Sequence, residues 1–116
     1  MNEIFKQYWP AVALAAWWLY KWLRGRRVAT MLPLLRSQGA VLVDVRTEAE
    51  FASAHAPGAV NIPLQTLGMR MREIPRGVPV VVGCASGTRS GLARMQLRKN
   101  GFKPVYNIGN WRNFMR

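Results

Sequence analysis

The residue whose type and position most directly suggest chemistry is Cys84, the only cysteine in the chain. It closely follows a run of valines, Val80 to Val82, which is typical of a buried strand. Small, turn-forming residues come next, and then a helical pattern covers Gly91 to Asn100. The thiol is therefore predicted to lie where a strand stops and a helix is about to begin.

Residues 85–90 favour an anion-binding loop at this point. The first N–H groups of a helix lack partners within the helix and carry the positive end of its dipole. A tight loop there turns its N–H groups inward and can hold an anion. With Arg89 nearby, the loop is expected to keep the pKa of Cys84 below the value of about 8.5 for a free thiol. The pattern indicates a nucleophilic cysteine facing an anionic substrate. The alternative is a small buried side chain without reactivity.

Composition limits the other sites that the chain could build. Its 116 residues, half of them hydrophobic, suffice for one domain. One cysteine excludes an internal disulfide and a cysteine zinc site, and one histidine, His55, excludes a multi-histidine metal site. A Cys–His nucleophile pair stays open. A thiol that must remain reduced fits the cytoplasm.

The chain is strongly basic, with a net charge of +12 from 17 Lys and Arg against five Asp and Glu. One cluster is formed by Lys21, Arg24, Arg26 and Arg27. Because no aromatic-interleaved basic block or nucleic-acid motif is present, nucleic acid is not a predicted partner. The cluster is interpreted as membrane-linked and the other charges as solvated surface.

Residues 4–23 predict one N-terminal helix in a lipid bilayer. The stretch from Tyr8 to Tyr20 is uncharged, and tryptophans near both ends resemble interfacial belts. A span needs about 20 apolar residues. Because the basic residues follow the segment, the N-terminus is predicted outside and the domain in the cytoplasm, as in a single-pass membrane protein. The alternatives are a helix lying on the membrane surface and a helix packed on the domain.

The predicted organisation is a membrane-anchor helix with a basic linker over residues 1–27, followed by one domain over residues 28–116. Ala11 and Ala15 have the spacing of small residues at which membrane helices pair, which suggests a homodimer through this helix.

The domain alternates between predicted helices and strands. Thr47 and Glu50 have capping-box spacing, so a short helix is expected to follow Thr47. The other predicted helices cover 30–38, 64–72 and 91–100, the strands cover 40–46, 60–63, 80–84 and 104–108, Gly25–Val28 is a linker, and residues 109–116 make about one helical turn. This alternation predicts an α/β domain with a parallel sheet. Asp44 and Arg46 end one strand and Cys84 ends another, so they are expected at one edge, where ligands bind.

Four segments resemble the rhodanese-like domains in order and spacing. They are Leu42–Thr47 with Glu50 and Phe51, the turn HAPGAVNIP at residues 55–63, the loop-bearing stretch Val80–Ser90, and the last strand within Gly101–Asn107. The resemblance covers residues 29–114.

This resemblance implies a three-layer fold around a central parallel sheet and sulfurtransferase activity. Cys84 would attack the outer sulfur of thiosulfate or another small anionic sulfane-sulfur donor, and a Cys84 persulfide would then pass its sulfur to cyanide or a thiol. Backbone N–H groups of the loop would stabilise the persulfide anion, and Arg89 would attract the oxygens of the donor. The substrate-binding residues so implied are Ala85, Ser86, Gly87, Thr88, Arg89 and Ser90.

The resemblance also implies supporting residues and needs no metal or organic cofactor. Asp44 and Arg46 are interpreted as hydrogen-bonding supports of the pocket rim, and His55 as a brace of its turn. Two departures stand out. Ala85 occupies a position where many single-domain members have arginine. The chain also ends soon after Trp111, so part of the sheet is expected to be left for a partner or a membrane to cover.

Two other functions are weighed against sulfur transfer. A cysteine-dependent phosphatase or arsenate reductase also uses a thiolate in an anion-binding loop, but its signature has five residues between Cys and Arg, whereas four separate Cys84 from Arg89. A non-catalytic, membrane-tethered binding module is the other alternative, because a fold does not fix a function.

Overall fold

The computed structural model describes residues 3–116, so Met1 and Asn2 of the predicted N-terminal segment lie outside the described residues. A long helix comes first, and four strands alternating with shorter helices follow it. The helices are α1 (Glu3–Ser37), α2 (Glu48–Ser53), α3 (Leu67–Arg70) and α4 (Thr88–Lys99), and the strands are β1 (Val41–Asp44), β2 (Val60–Asn61), β3 (Val80–Cys84) and β4 (Val105–Asn110). Three further segments form 3-10 helices: Leu64–Thr66, Met71–Glu73 and Trp111–Met115.

The four strands form one parallel sheet in the order β2-β1-β3-β4. The valine-rich β1 and β3 are central, and all five residues of β3 are buried, as expected for a strand that is covered on both faces. Asp44 at the end of β1 pairs with Gly83 of β3. The end of β1 therefore lies beside Cys84, at the same edge of the sheet, as the sequence predicted.

Helices cover both faces of the sheet, so the predicted three-layer α/β fold is present. Successive valines of β3 point to opposite faces, as in any strand. Val80 and Val82 pack with Leu97 of α4 and Leu67 of α3. The other face packs against the second half of α1 and the final 3-10 helix, through Val28, Ala29, Leu32, Leu35, Leu42, Val81, Ile108, Trp111 and Phe114.

The helix α1 is continuous, so the predicted linker at Gly25–Val28 is wrong, and the helix predicted over residues 30–38 is the last part of α1. The glycine does not break the helix here but allows close packing. A Cβ atom on Gly25 would lie 2.8 Å from the backbone oxygen of Ile108. Buried Val28 and Leu32 then hold the following turns on the sheet. The division into residues 1–27 and 28–116 stays a prediction, and its boundary falls inside α1.

No helix among the described residues combines the length and the apolarity needed to cross a membrane. The uncharged run from Tyr8 to Tyr20 has 13 residues, which as a helix covers about 20 Å of the roughly 30 Å of hydrocarbon in a bilayer. The predicted single-pass localisation, with the N-terminus outside and the domain in the cytoplasm, is therefore wrong. The contact of residues 4–23 with a bilayer and the homodimer through Ala11 and Ala15 depended on that span and lose their support.

The sheet face that the short C-terminus was expected to leave open is covered by the chain itself. Residues of α1 from Gly25 to Leu35 lie on this face, and Phe114 of the final 3-10 helix is fully buried there. The third interpretation of the N-terminal segment, a helix packed on the domain, thus describes the second half of α1. Most residues of its first half, up to Arg24, are exposed.

The shorter elements follow local sequence signals to different degrees. The capping box at Thr47 is confirmed, since its hydroxyl accepts from the Glu50 N–H and the Glu50 carboxylate accepts from the Thr47 N–H. In contrast, α4 starts at Thr88 rather than Gly91. The helix predicted over residues 64–72 is divided into two 3-10 turns around the four residues of α3.

The close approach of Gly25 to β4 predicts that Gly25→Ala lowers the free energy of unfolding by about 1–3 kcal/mol, because the added methyl group meets a backbone oxygen that cannot move away. Alanine itself favours a helix over glycine by about 1 kcal/mol, so a net loss isolates the clash. The measurement is urea unfolding followed by circular dichroism.

Gly68→Ala is the matched control, because its Cβ would meet only the end of the flexible Gln96 side chain. If Gly25→Ala were as stable as the wild type, α1 would not cross β4 as described.

Candidate active site

The Cys84 side chain lies at the end of β3, fully buried beneath a short loop. Ala85 and Ser86 form the exposed part of this loop. Gly87 has a φ of 95°, a left-handed conformation that favours glycine, and α4 begins at the next residue. The predicted strand–loop–helix arrangement around the cysteine is therefore present.

Two backbone N–H groups and one hydroxyl point at the Cys84 sulfur. The Gly87 N–H donates to Sγ at 2.9 Å, the Ser90 N–H at 3.4 Å and the Ser90 hydroxyl at 3.3 Å. Burial of the sulfur opposes its ionisation, but the hydroxyl and N–H of Ser90 and the N–H groups of the loop outweigh it, so the pKa of Cys84 lies below its ordinary value. The loop thus favours the nucleophilic thiolate.

The hydroxyl of Ser90 is positioned by Asn107 of β4. It lies 2.7 Å from Asn107 Oδ1, which also accepts from the Gly109 N–H at 3.0 Å. The Asn107 amide donates to the carbonyl of Gly87 at 3.0 Å. Since a hydroxyl carries one proton, Ser90 can donate to Asn107 beside a neutral thiol and turn to Cys84 when the thiolate forms. Asn107 Oδ1 keeps the Gly109 N–H in both states.

Arg89 is held by Glu50 rather than left free at the loop. Its two terminal nitrogens donate to the two Glu50 oxygens at 2.7 and 3.0 Å. Hydrogen bonds from Arg89, and then from the Thr47 N–H, outweigh the opposing effect of burial and, with the Thr47 hydroxyl, lower the pKa of Glu50 to about 2. The pair joins the start of α4 to the capping box of α2. Arg89 therefore stands near Cys84 with its charge already partnered.

Asp44 and Arg46 form a buried ion pair at the rim of the same edge. Arg46 Nη2 lies 2.8 Å from Asp44 Oδ2, and the same nitrogen donates to the Ala54 carbonyl at 2.8 Å. The guanidinium also stacks over the Trp111 ring, 4.4 Å from its centre. Together these contacts tie the end of β1 to the end of α2 and to the final 3-10 helix, which fits a supporting position.

The exposed outer surface of the loop is held by groups from distant parts of the chain. Asn110 donates to the carbonyl of Ala85 at 2.8 Å. The ammonium group of Lys21, on α1, donates to the Thr88 hydroxyl at 2.8 Å. The Ser86 hydroxyl lies 3.4 Å from the same Thr88 oxygen. All six loop residues predicted to bind substrate, 85–90, thus lie around Cys84, and Gly87 and Ser90 donate hydrogen bonds to its sulfur.

Sequence reasoning missed four residues of this site: Lys21, Glu50, Asn107 and Asn110. Glu50 was assigned only to its cap, and Lys21 to the membrane. Asn107 lies near the carboxyl end of the predicted last strand, and Asn110 lies just after it. Because ligands bind at the carboxyl ends of parallel strands, this position is the one signal that could have pointed to the two asparagines.

Other polar groups do not enlarge the site. The Nδ1 atom of exposed His55 is 2.8 Å from the Phe51 carbonyl oxygen and its ring stacks on Phe51, as expected for a brace of its turn. Within residues 3–116, no three His, Cys, Asp or Glu side chains come together as a metal site.

Comparison with known proteins shows similarity over much of this chain. The profile of the Rhodanese-like domain matches residues 28–115. YqhL of Bacillus subtilis, an uncharacterised protein, is 46% identical over 69 residues, which are 60% of this chain and 55% of YqhL. The thiosulfate sulfurtransferase GlpE of Pseudomonas syringae pv. syringae is 40% identical over 74 residues, 64% of this chain and 70% of GlpE.

Solved structures are also similar to this chain. The structure of a rhodanese from E. coli with anions superposes with a TM-score of 0.60 at 32% identity, covering 64% of this chain and 89% of that one. The profile match spans most of the chain and includes β1, the Cys84 loop and β4. The chain belongs to the rhodanese-like domain family.

Proposed function

We propose that this protein is a sulfurtransferase that carries sulfur as a persulfide on Cys84. The observation that supports this most is the set of donors around its sulfur: the N–H groups of Gly87 and Ser90 and the Ser90 hydroxyl. These donors favour an anion on sulfur, either the thiolate before the reaction or the persulfide after it.

In the first half of the reaction, the Cys84 thiolate attacks the outer sulfur of a donor such as thiosulfate. A bond forms between Sγ and that sulfur, and the bond between the two sulfurs of thiosulfate breaks. Sulfite leaves with the electron pair of the broken bond, and Cys84 becomes a persulfide anion. In the second half, cyanide or a thiolate attacks the outer sulfur of the persulfide and releases the Cys84 thiolate. No net oxidation or reduction is needed with thiosulfate and cyanide.

The loop residues 85–90 are proposed to bind the transferred sulfur and its donor. Cys84 has no exposed surface, so a donor is proposed to reach it only when the surrounding loop shifts. Arg89 contributes positive potential, although its hydrogen bonds go to Glu50. Asp44 and Arg46 keep the rim in place and have no role in proton transfer.

Relatives support this proposal. GlpE is named a thiosulfate sulfurtransferase, and the E. coli rhodanese structure holds anions. Thiosulfate as donor and cyanide or a thiol as acceptor are the finer part of the proposal.

One observation favours a second candidate, a non-catalytic binding module: the thiol is completely buried. A phosphatase or arsenate reductase is less well supported, because Arg89, which would have to bind the oxyanion, is already paired with Glu50. A sulfurtransferase is expected to load sulfur on Cys84, whereas a binding module and a phosphatase or arsenate reductase are not, so this loading distinguishes the candidates.

Wild-type protein incubated with thiosulfate is expected to gain about 32 Da, one sulfur atom, and to lose it on addition of cyanide. Intact-mass spectrometry measures both steps. Cys84→Ser should show no gain and no cyanide-dependent turnover, while its circular dichroism spectrum stays that of the wild type. Lack of any gain on a Cys84 that still reacts with iodoacetamide would refute thiosulfate loading, and an unreactive Cys84 would favour the binding module.

The Glu50–Arg89 pair predicts an acid-dependent loss of stability. The pKa of Glu50 is about 2 in the fold, and about 4.3 in an unfolded chain. Its ionised form therefore stabilises the fold fully above about pH 4.5, and this contribution disappears as the pH falls towards 2. The difference in unfolding free energy between the wild type and Glu50→Gln should be larger at pH 7 than at pH 3, as measured by urea unfolding.

Glu48→Gln is the charge-matched control, because Glu48 lies in the same helix and makes no ion pair among the described residues. An equal wild-type advantage over Glu50→Gln at pH 3 and pH 7 would contradict the pairing.

A further inference from the structure

A groove of about 330 Å³ runs between α1 and α4 and reaches the Cys84 loop. Four residues of α1 form one wall, five residues in the first two turns of α4 form the other, and the loop closes one end. The lining residues used below are Trp17, Tyr20, Lys21 and Arg24 of α1, and Leu92, Arg94 and Met95 of α4. Its α1 wall precedes residues 28–115, so this groove is a feature of the present chain rather than of the matched domain.

The loop end of the groove adjoins the donors of the Cys84 sulfur. Gly87, whose N–H bonds Sγ, and Thr88 line it there. The Lys21 ammonium bonds the Thr88 hydroxyl and sits over the Trp17 ring, 4.2 Å from its centre. A positive charge is therefore held at the point where the groove meets the loop, which favours a thiolate at this end.

The other end of the groove carries two arginines. Arg24 and Arg94 also line a second cavity that extends away from the loop, which places them at the far end. Arg94 lies six residues after Thr88 on α4, about 9 Å along the helix axis. The groove is thus long enough for an extended chain of about eight carbons.

These three positive charges are not neutralised by the described part of the protein. Each donates a hydrogen bond to an uncharged oxygen. Arg24 donates to the Tyr20 hydroxyl, and Arg94 donates to the carbonyl of Val105. Lys21 donates to the Thr88 hydroxyl. None of the three lies within ion-pair distance of a described carboxylate. Burial, followed by repulsion from Arg24 and Arg98, lowers the pKa of Arg94. The groove is therefore suited to an anion from outside.

Apart from its charged residues, much of the lining of the groove is apolar. Trp17, Leu92 and Met95 line it, and about half of each side chain is exposed. Thiosulfate is small and wholly polar, so it has no use for this surface. A ligand with a hydrocarbon body and an anionic end matches both parts.

We infer that the α1–α4 groove binds the sulfur acceptor, an organic thiol whose apolar chain ends in a carboxylate or similar anion. This inference rests on the proposed sulfurtransferase function. The thiol lies at Lys21 beside the loop, the chain lies along Leu92, which stands between Thr88 and Arg94 on α4, and the anion lies at Arg24 and Arg94. The thiol first loses its proton to water. Its sulfur then attacks the outer sulfur of the Cys84 persulfide, which breaks the bond to Sγ, and the products are an acceptor persulfide and the Cys84 thiolate.

Four thiols test this inference with the full chain loaded from thiosulfate: 8-mercaptooctanoate, 8-mercaptooctan-1-ol, 3-mercaptopropionate and 2-mercaptoethanol. The wild type should have its lowest KM for 8-mercaptooctanoate. The carboxylate should lower KM more in the long pair than in the short pair, because only the long acid can span the distance from Thr88 to Arg94. Equal KM values for the long acid and the long alcohol would overturn the inference.

Arg24→Met is expected to raise KM for 8-mercaptooctanoate about fivefold relative to its effect on the long alcohol, the size expected for one partly exposed ion pair. Arg24→Lys should restore most of the loss. Arg26→Met is the matched control, because it removes the same charge from the same helix, while Arg26 stacks on Trp22 outside the groove. The inference would be overturned if Arg24→Met raised KM equally for the long acid and the long alcohol. It would also be overturned if Arg26→Met raised KM for the acid as much as Arg24→Met does.

Binding of sodium octanoate, which has no thiol, separates this inference from the sulfurtransferase proposal. Calorimetric titration should show binding that Arg24→Met weakens about fivefold and Arg26→Met does not. If the protein bound octanoate in this way but took up no sulfur, the sulfurtransferase proposal would be refuted and binding of an anion in the groove would stand. Normal loading with no octanoate binding would refute the groove alone.

Discussion

The arrangement around one sulfur atom sets the requirements for the rest of this domain. The Cys84 sulfur is buried, and a buried anion is costly unless donors surround it. Gly87 and Ser90 supply those donors, and each depends on a larger element. Gly87 can turn its N–H inward because glycine tolerates its left-handed backbone. Ser90 is in reach because α4 starts directly after the loop.

The neighbouring elements keep that loop in position through polar contacts. Asn107 holds Ser90 and the carbonyl of Gly87, so β4 determines the shape of a loop that belongs to β3 and α4. Glu50 holds Arg89 from the opposite side. Buried Asp44 and Arg46 form the adjacent rim. The loop is therefore held at its base by these contacts and at its exposed tip by the hydrogen bond from Asn110 to the carbonyl of Ala85.

The long first helix brings a charged residue, Lys21, to the site from outside the matched residues 28–115. Its second half packs on the sheet from Gly25 onward, and its preceding turn places Lys21 on the loop. Ala85 brings no charge to the loop, and Lys21 of α1 places a positive charge on its outer surface. One residue of the basic cluster, Lys21, thus contacts the loop around Cys84 instead of a membrane.

Local signals in the sequence predicted much of this structure. The capping box of Thr47 and Glu50 and the valine run before Cys84 act over a few residues, so their outcome could be predicted. Features that depend on distant contacts could not. Gly25 continues a helix because Ile108 lies against it. The aromatic residues of the first half of α1 resemble the interfacial belts of a membrane span, although the helix lacks the combined length and apolarity of one. The Asn107 contacts join residues 17 and 20 positions apart, and only the folded sheet brings them together.

The ionisation of Cys84 is the most direct test of this account. Because the chain has one cysteine, thiolate absorbance near 240 nm followed against pH reports that residue alone. The account predicts a pKa for Cys84 below the value of about 8.5 of a free thiol, and a higher pKa in Ser90→Ala, which loses the hydroxyl donor and keeps the backbone N–H. A pKa at or above that of a free thiol in the wild type, or no change in Ser90→Ala, would contradict it.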